Sequence, residues 1–144
     1  MTTVLSQVAG AVVTSLSAGT PVSSHIQRAR MRPGSADWSD MVVVRLQDTE
    51  LTPFGVYGGP YNADTKLSVE CYARATAGQS PDVAVDSLLA AVYARLAADH
   101  SLGGLVSDLV ATGISYDFDA DDYATACATL NYTAVHRVSN SSLE

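Results

Sequence analysis

The acidic run between Asp117 and Asp122 is the part of this chain whose residue types come closest to a chemical site. Asp117, Asp119 and Asp121 repeat at the spacing with which a calcium-binding loop begins. Such a loop also needs a glycine and a bidentate glutamate at two later positions, where this chain has Asp122 and Ala128. A dedicated calcium loop is therefore excluded. Two interpretations stay open: a solvated acidic hairpin turn, or a weaker divalent-cation or charge-pairing site at a subunit contact, with Asp119, Asp121 and Asp122 as candidate metal ligands.

The other reactive side chains predict no catalytic or metal site. His25, His100 and His136 are scattered, and none has a second histidine or a cysteine at ligand spacing. Cys71 and Cys127 fall on the apolar face of one predicted strand and the polar face of another, so two inert thiols are expected rather than a disulfide. The sequence also lacks the phosphate-binding, dinucleotide-binding, hydrolase and zinc-protease motifs. We therefore expect neither catalysis nor a cofactor.

The composition predicts a single globular domain with an acidic surface. The chain has 144 residues, of which 47% are hydrophobic and 16% charged, and its net charge is −7. That length can close a core without disulfides or metals, and the negative charge argues against tight nucleic-acid binding. No apolar run approaches the roughly 20 residues that span a bilayer, and no signal peptide is indicated, so synthesis in the cytoplasm is expected. Residues 1–138 are assigned to one domain and 139–144 to a polar tail, whose last two residues are candidate vector sequence.

Helices and strands of clear periodicity are expected to position these residues. Apolar residues at three- and four-residue steps predict helices over Thr3–Ser17 and Pro81–Asp99, the second capped by Ser80. Leu102–Leu109 is predicted to add one or two helical turns. Alternation predicts strands over Met41–Gln47, Lys66–Thr76, Thr112–Phe118 and Ala124–Val138. The last strand has a face lined with alanines, so the long helix is expected to pack on it. The fold class is α+β: a mixed, mostly antiparallel sheet of four to five strands with two to three helices packed on it.

The stretch from Asp48 to Asp64 is predicted to be a long loop. It is rich in glycine and proline, and loops of this length in compact domains are usually functional or disordered. Phe54, Tyr57 and Tyr61 favour a loop that docks on a partner over one that is merely mobile.

The segment from Ser24 to Arg32 is predicted to be an edge strand or an exposed arm. In an extended chain it places Arg28, Arg30 and Arg32 on one face, and neither face has the pattern of a core strand.

Six segments follow one another between about Ser39 and Val138 in an order that has a counterpart in a known family. They are Met41–Leu46, Leu67–Tyr72, the helix from Pro81 to Asp99, Leu105–Gly113, Tyr116–Asp119 and Ala128–Val135. Each is a weak signal alone, but their shared order and spacing resemble the minor tail protein U family, the tail terminators of long-tailed phages.

The resemblance implies a subunit that works through its interfaces. Members of that family form a six-membered ring on the end of a finished tail tube, stop its polymerisation and offer a surface to the head. The implied partners are copies of the chain itself, the tail tube protein and a head or neck completion protein, in the virion tail. Two other classes stay open: a different head–tail connector or completion protein, and a small ligand-binding α+β domain.

A closed ring needs a contact between two different patches of the subunit, and two segments of opposite charge are candidates. We expect the stripe of Arg28, Arg30 and Arg32 to approach the acidic turn from Asp117 to Asp122 across this contact. The alternative is that both are solvated, since exposed ion pairs contribute only about 0–1 kcal/mol each. The negative net charge also suits a ring through which DNA slides without sticking.

Overall fold

A computed structural model describes residues 2–28, 39–55, 57–118 and 125–143, which form two helices and five strands. In chain order the elements are α1 (Val4–Ser17), β1 (Ile26–Arg28), β2 (Asp40–Pro53), β3 (Tyr61–Arg74), α2 (Pro81–Ala98), β4 (Asp108–Phe118) and β5 (Thr125–Val138). The strands form one sheet in the order β1-β2-β3-β5-β4. β1 is parallel to β2, and the other neighbours are antiparallel. The predicted α+β class, with a mixed and mostly antiparallel sheet, is confirmed.

Both helices pack on the same face of the sheet, and α2 lies on the central strands β3 and β5. Ala126, Ala128 and Ala134 of β5 are fully buried there, and so is Leu130. Small side chains on a strand let a helix backbone approach closely, so the prediction that α2 packs on the alanine-lined strand is confirmed. The buried side of α2 consists of Val85, Leu88, Leu89, Val92 and Leu96, which are the residues that its periodicity indicated.

The N-terminus of α2 differs in one detail from the prediction. Pro81 occupies the first turn and Asp82 lies beside it, as expected, but the side chain of Ser80 makes no capping hydrogen bond. The backbone carbonyl of Ser80 instead accepts from the amide of Ala84 at 3.0 Å. The start of α2 is therefore marked by Pro81, whose ring fixes φ near the helical value, and by Asp82, whose negative charge is favourable near the helix N-terminus.

An arginine from α2 fixes the end of α1. The guanidinium of Arg95 donates hydrogen bonds to the carbonyl oxygens of Ser15, Ala18 and Thr20 at 3.0, 2.7 and 2.7 Å. The last carbonyls of a helix have no partner within the helix, and a cation near them also complements the helix dipole. Arg95 therefore joins the two helices at the C-terminus of α1, where carbonyl groups lack hydrogen-bond partners within the helix.

The predicted long loop from Asp48 to Asp64 is wrong in most of its length. β2 continues to Pro53 and β3 begins at Tyr61, so these residues form a long hairpin. The ladder passes a β-bulge between Leu46 and Asp48 and then continues through polar pairs. Pairing along β3 stabilises this stretch as a strand, although Asp48, Glu50 and Pro53 have low β propensity.

The helical turns predicted over Leu102–Leu109 are also wrong. Residues 99–106 form a series of turns, in which Gly103 and Gly104 have φ values of 71° and 92°. A left-handed backbone of this kind suits glycine and interrupts a helix. β4 then begins at Asp108, four residues before the predicted Thr112, because residues from Asp108 onward already pair with β5.

Candidate interaction surfaces

The loop at the end of the β2–β3 hairpin is the most exposed aromatic surface of the described chain. We call residues 54–60 the hairpin tip; residue 56 lies outside the described part. Tyr57 is fully exposed, and Phe54 is 42% exposed. The guanidinium carbon of Arg137 lies 3.9 Å from the centroid of the Phe54 ring, a cation–π contact. The amide of Phe54 also donates to the carbonyl of Pro60 at 3.1 Å.

The C-terminal tail holds the hairpin tip in place. The side-chain amide of Asn140 donates to the carbonyl of Gly58, and the amide of Val4 donates to the carbonyl of Leu143 at 2.6 Å. Tyr61 is half-buried at the start of β3, where it pairs with Pro53 and Val138. Of the three aromatic residues that the sequence predicted to dock on a partner, only Tyr57 therefore presents its whole side chain to solvent.

Arg28 and Asp117 lie at opposite edges of the sheet. Arg28 ends β1 and donates to the hydroxyl of Ser6 in α1 at 2.8 Å, whereas Asp117 is exposed near the end of β4. Arg30, Arg32, Asp119, Asp121 and Asp122 fall outside the described residues. Two groups at opposite edges cannot meet within one subunit, so the proposed charge pairing stays a prediction about contacts between copies.

The two ends of the sheet are chemically different. Tyr61 pairs with Val138 at one end, next to the hairpin tip, and Arg74 pairs with Thr125 at the other. β4 runs toward this second end, so the acidic run of the sequence is attached at the end of the sheet remote from Tyr57. Within the described ranges no group of three or more histidine, cysteine, aspartate or glutamate side chains could hold a metal ion. The weak cation site predicted at Asp119, Asp121 and Asp122 concerns residues beyond those ranges.

The two cysteines lie on opposite faces of the sheet, as their parity predicted. Cys71 is buried on the helix-facing side, and Cys127 is partly buried on the other; both are free. Burial raises the pKa of the Cys71 thiol to about 12, and burial also raises the pKa of Cys127. A thiol protonated at neutral pH is a poor nucleophile and a poor metal ligand, so the geometry agrees with two inert cysteines.

A buried histidine is a feature that the sequence pattern did not single out. His136 is 4% exposed on the helix-facing side of β5, and its Nε2 lies 2.7 Å from the hydroxyl oxygen of Thr65. That oxygen lies 3.0 Å from the hydroxyl oxygen of Thr49, across the hairpin. The other ring nitrogen, Nδ1, is buried without a hydrogen-bond partner among the described residues. Burial lowers the pKa of His136, and this outweighs the opposing influence of the Arg137 backbone and of Asp64.

The buried imidazole is expected to make stability depend on pH. The folded pKa lies below the ordinary value of 6.5, so the unfolded chain takes up a proton first as the pH falls. We expect the contribution of His136 to the free energy of unfolding to be constant above about pH 7. It should decrease as the pH falls through 6.5 toward the folded pKa. The limiting slope is about 1.4 kcal/mol per pH unit. Urea unfolding at a series of pH values between about 5.5 and 7.5 measures this slope.

A pair of histidine variants isolates the contribution of His136. His136→Gln is expected to flatten the slope in this pH range. His100→Gln, at an exposed histidine, is the comparison variant. An unchanged slope in His136→Gln would contradict the assignment.

The face of the sheet without helices carries a shallow polar groove. It has a volume of about 390 Å³ and is lined by Gln47, Lys66, Thr112, Gly113, Asn131, Tyr132 and Thr133. The bulges of β2 and β4 flank the same row of the sheet, since Leu46 pairs with Leu67, Leu67 with Tyr132, and Tyr132 with Ala111. Beside the groove, Arg45 forms an ion pair with Glu70 at 2.9 Å. The lining contains one lysine and no acidic or histidine side chain, so the groove lacks the paired acid and base of a hydrolytic site.

Comparison with known proteins finds a likeness to solved structures. No family model and no curated protein sequence matches the chain. A chain of the virion of a native gene transfer agent particle matches with a TM-score of 0.53 and 13% sequence identity. The match covers 90% of this chain and 94% of that one. At this identity the likeness establishes a shared fold over nearly the whole of both chains.

The helices of the described region include none that is both long and apolar enough to cross a membrane.

Proposed function

We propose that this protein is a structural component of a phage-like particle and acts there as a tail terminator. In this role, copies of the chain form a ring, six-membered as in the family that the sequence resembles, on the end of a tail tube. The ring ends polymerisation of the tube and offers its free side to the head or to a neck completion protein. The role requires no catalytic residue and no cofactor.

The observation that carries the proposal is the shared fold with a virion component across almost the full length of both chains. This likeness concerns the fold of the whole chain, whereas the resemblance to tail terminators concerns the order and spacing of sequence segments. Each supports a particle protein, and the sequence resemblance favours the tail terminator among such proteins.

The shape of the subunit is also suited to a ring between two different partners. A subunit in such a ring needs two lateral surfaces for its neighbours and two ends for the tube and the head. The sheet has two edges, and its ends carry different chemistry: the exposed Tyr57 at one, and the strand leading into the acidic run at the other. Tyrosine contributes a large apolar area with a polar end, which makes it common at interfaces.

Mixing the purified protein with tail tubes assembled from their tube protein tests the proposal. We expect electron micrographs to show a ring on one end of each tube, and we expect tubes assembled in its presence to stop growing. Tubes that grow equally long with and without the protein would contradict a tail terminator. A ring that binds only to heads or to necks would favour the alternative, a different head–tail connector or completion protein.

Removing the Tyr57 side chain is expected to weaken one of the two end contacts. Because Tyr57 is fully exposed, Tyr57→Ala should leave the stability of the subunit unchanged. A well-placed interface tyrosine contributes about 1–2 kcal/mol, so we expect binding to tube or head to weaken by roughly five- to thirtyfold.

The measurement is a titration of tubes, and separately of heads, with labelled protein. Tyr93→Ala is the matched control, because Tyr93 is a 49% exposed tyrosine on α2 and not part of the hairpin tip. Equal affinities of both variants and the wild type for both partners would show that the hairpin tip does not dock.

A further inference from the structure

The two helices leave the second half of β4 uncovered. α1 lies on β1 and β2, and α2 lies on β3 and β5. Strands are about 4.8 Å apart and packed helices about 10 Å apart, so two helices cover roughly four strands of a sheet. Ile114 and Tyr116 of β4 pair with two buried core residues of β5, so they lie on the helix-bearing face. Ile114 is nevertheless 49% exposed and Tyr116 52% exposed, because neither α1 nor α2 covers them.

One flank of α2 borders this uncovered strip. Arg95 reaches the end of α1, so the opposite flank of α2 faces β4. Tyr93 lies on that flank: burial raises the pKa of Tyr132 in β5 to about 12, and the nearby hydroxyl of Tyr93 adds to this effect. Asp86 comes close to two helical turns before Tyr93, about 10 Å along the axis, so it lies on the same flank. Asp82 is one turn earlier, and both carboxylates are exposed.

We call this surface the β4 ledge, and it consists of Asp82, Asp86, Ile114 and Tyr116. It combines two large apolar side chains with two carboxylates. The elements that form it offer no basic side chain in balance, because Arg95, the single basic residue of α2, is bonded to α1, and β4 contains neither lysine nor arginine. An exposed apolar surface with a rim of one charge favours a partner that offers an apolar surface with the opposite charge.

The same chain carries a complementary surface on α1. No charged side chain occurs in residues 1–24. On the side of α1 next to β1, the side chains of Ser6, Gly10 and Val13 are small, uncharged and partly exposed. Arg28 of β1 is exposed on this side, and its guanidinium donates to Ser6 at 2.8 Å and lies beside Gly10. We call these four residues the α1 flank; it is a neutral surface of small side chains with one fixed positive charge.

Arg28 and Asp86 each lack a described partner of opposite charge. Among the residues that the structure describes, the ion pairs involve other side chains. Burying one charge in a contact is costly unless the opposite charge is brought to it. Two β4 ledges in contact would oppose carboxylate to carboxylate, and two α1 flanks would oppose guanidinium to guanidinium. The charges therefore favour contact between the ledge of one copy and the flank of another.

We propose that the α1 flank of one copy packs on the β4 ledge of a second copy, with Arg28 of the flank against Asp86 of the ledge. This inference rests on the proposed function, because it assigns the lateral contact of the ring. A contact between two different surfaces repeats from copy to copy and closes when the rotation returns to its start. The contact buries Ile114 and Tyr116 and joins two charges that have no described partner within the subunit.

The helix layers of neighbouring copies become continuous in this contact. α1 lies at the β1 side of the sheet, and the ledge lies at the β4 side. α1 of one copy therefore takes the place beside α2 that the other copy leaves free. The small side chains of Ser6 and Gly10 let the ring of Tyr116 approach closely, as interdigitating packing requires.

Engineered disulfides test the contact directly. Val13→Cys places a thiol on the α1 flank, and Ile114→Cys and Tyr116→Cys each place one on the ledge. Each change is made singly in the full chain with Cys127→Ser, and pairs of proteins are mixed and oxidised, both free and on tail tubes. Ser115→Cys is the matched control, because Ser115 lies between the two ledge positions, is exposed, and is on the opposite face of the sheet.

We expect a mixed disulfide between Val13→Cys and at least one ledge variant, at a higher yield than between Val13→Cys and Ser115→Cys. Oxidation on tail tubes also samples a ring that closes only on its template. Two results would overturn the inference. One is a yield with both ledge variants that is no higher than with Ser115→Cys, free and on tubes. The other is an Ile114→Cys homodimer that exceeds the mixed product, since this would place two ledges in contact.

A charge exchange gives a second measurement. Arg28→Asp and Asp86→Arg are each expected to weaken self-association at least about tenfold, as measured by sedimentation. A chain with both changes keeps the net charge of −7 and restores the pair in reverse, so its self-association should return to within about threefold of the wild type. Circular dichroism shows that each variant is folded. A double variant that associates no better than the single ones would count against the pairing of Arg28 with Asp86.

The disulfide and tube-capping experiments fail independently. Rings that cap tubes without a disulfide between flank and ledge would refute this contact and leave the tail terminator standing. Such a disulfide in a protein that neither caps nor limits tubes would support the contact and refute the tail terminator. A Tyr116→Asp variant that still forms rings but no longer binds tubes would assign the ledge to the tube protein and overturn the inference.

Discussion

Leu130→Ala is expected to lower the free energy of unfolding by about 3–4 kcal/mol. Leu130 is fully buried in β5, between Val69 of β3 and Ile114 of β4, and it lies in the core that α2 covers. Truncation removes the transfer free energy of the lost methyl groups and leaves a cavity that a helix resting on alanines cannot readily fill. Urea unfolding followed by circular dichroism measures the change.

Ile114→Ala is the matched control for this prediction. Ile114 is the direct cross-strand partner of Leu130, but it is 49% exposed. Since it already contacts solvent, its truncation in the isolated subunit should cost less than about 1 kcal/mol. Similar losses in the two variants would show that β4 is covered in solution or that the core does not centre on β5.

Arg95→Ala is expected to destabilise the subunit by about 2–3 kcal/mol. The substitution removes three hydrogen bonds from a charged donor and leaves the carbonyl groups of Ser15, Ala18 and Thr20 without that partner. Because these groups end α1 and begin the segment after it, the loss should also loosen the docking of α1 on α2. Thermal or urea unfolding gives the stability, and amide hydrogen exchange in α1 reports the docking.

Two other arginine variants separate geometry from charge. Arg95→Lys keeps the charge but presents a single ammonium in place of the planar fork, so an intermediate loss is expected. Arg137→Ala removes an exposed arginine whose described contact is the Phe54 ring, and it should cost no more than about 1 kcal/mol. If Arg95→Ala costs as little as Arg137→Ala, the three hydrogen bonds do not contribute as the geometry indicates.

For the candidate interface residues, the sequence pattern predicts the exposure of Tyr57 but not the hydrogen bond that Arg28 makes within the subunit. Tyr57 was expected to be available to a partner, and it is fully exposed. Arg28 was expected to lie on an open stripe, but its guanidinium donates to Ser6 of α1. The exposed edge of β4 was not predicted, although a signal was present: Val110 and Ile114 add apolar residues to a strand that has neither lysine nor proline. Whether such a strand lies at the edge or in the middle depends on strand order, which no local pattern records.

Local periodicity in the sequence was enough to determine the two helices, the alternation of β5 and the strand faces on which Cys71 and Cys127 lie. Each depends on side chains a few residues apart, and helix and strand geometry fixes which of them share a face. The tertiary structure alone decided the length of the β2–β3 hairpin, the start of β4 and the burial of His136. The physical reason is that these features depend on partners distant in sequence: the hydrogen-bonded pair of Thr65 and His136 is separated by 71 residues.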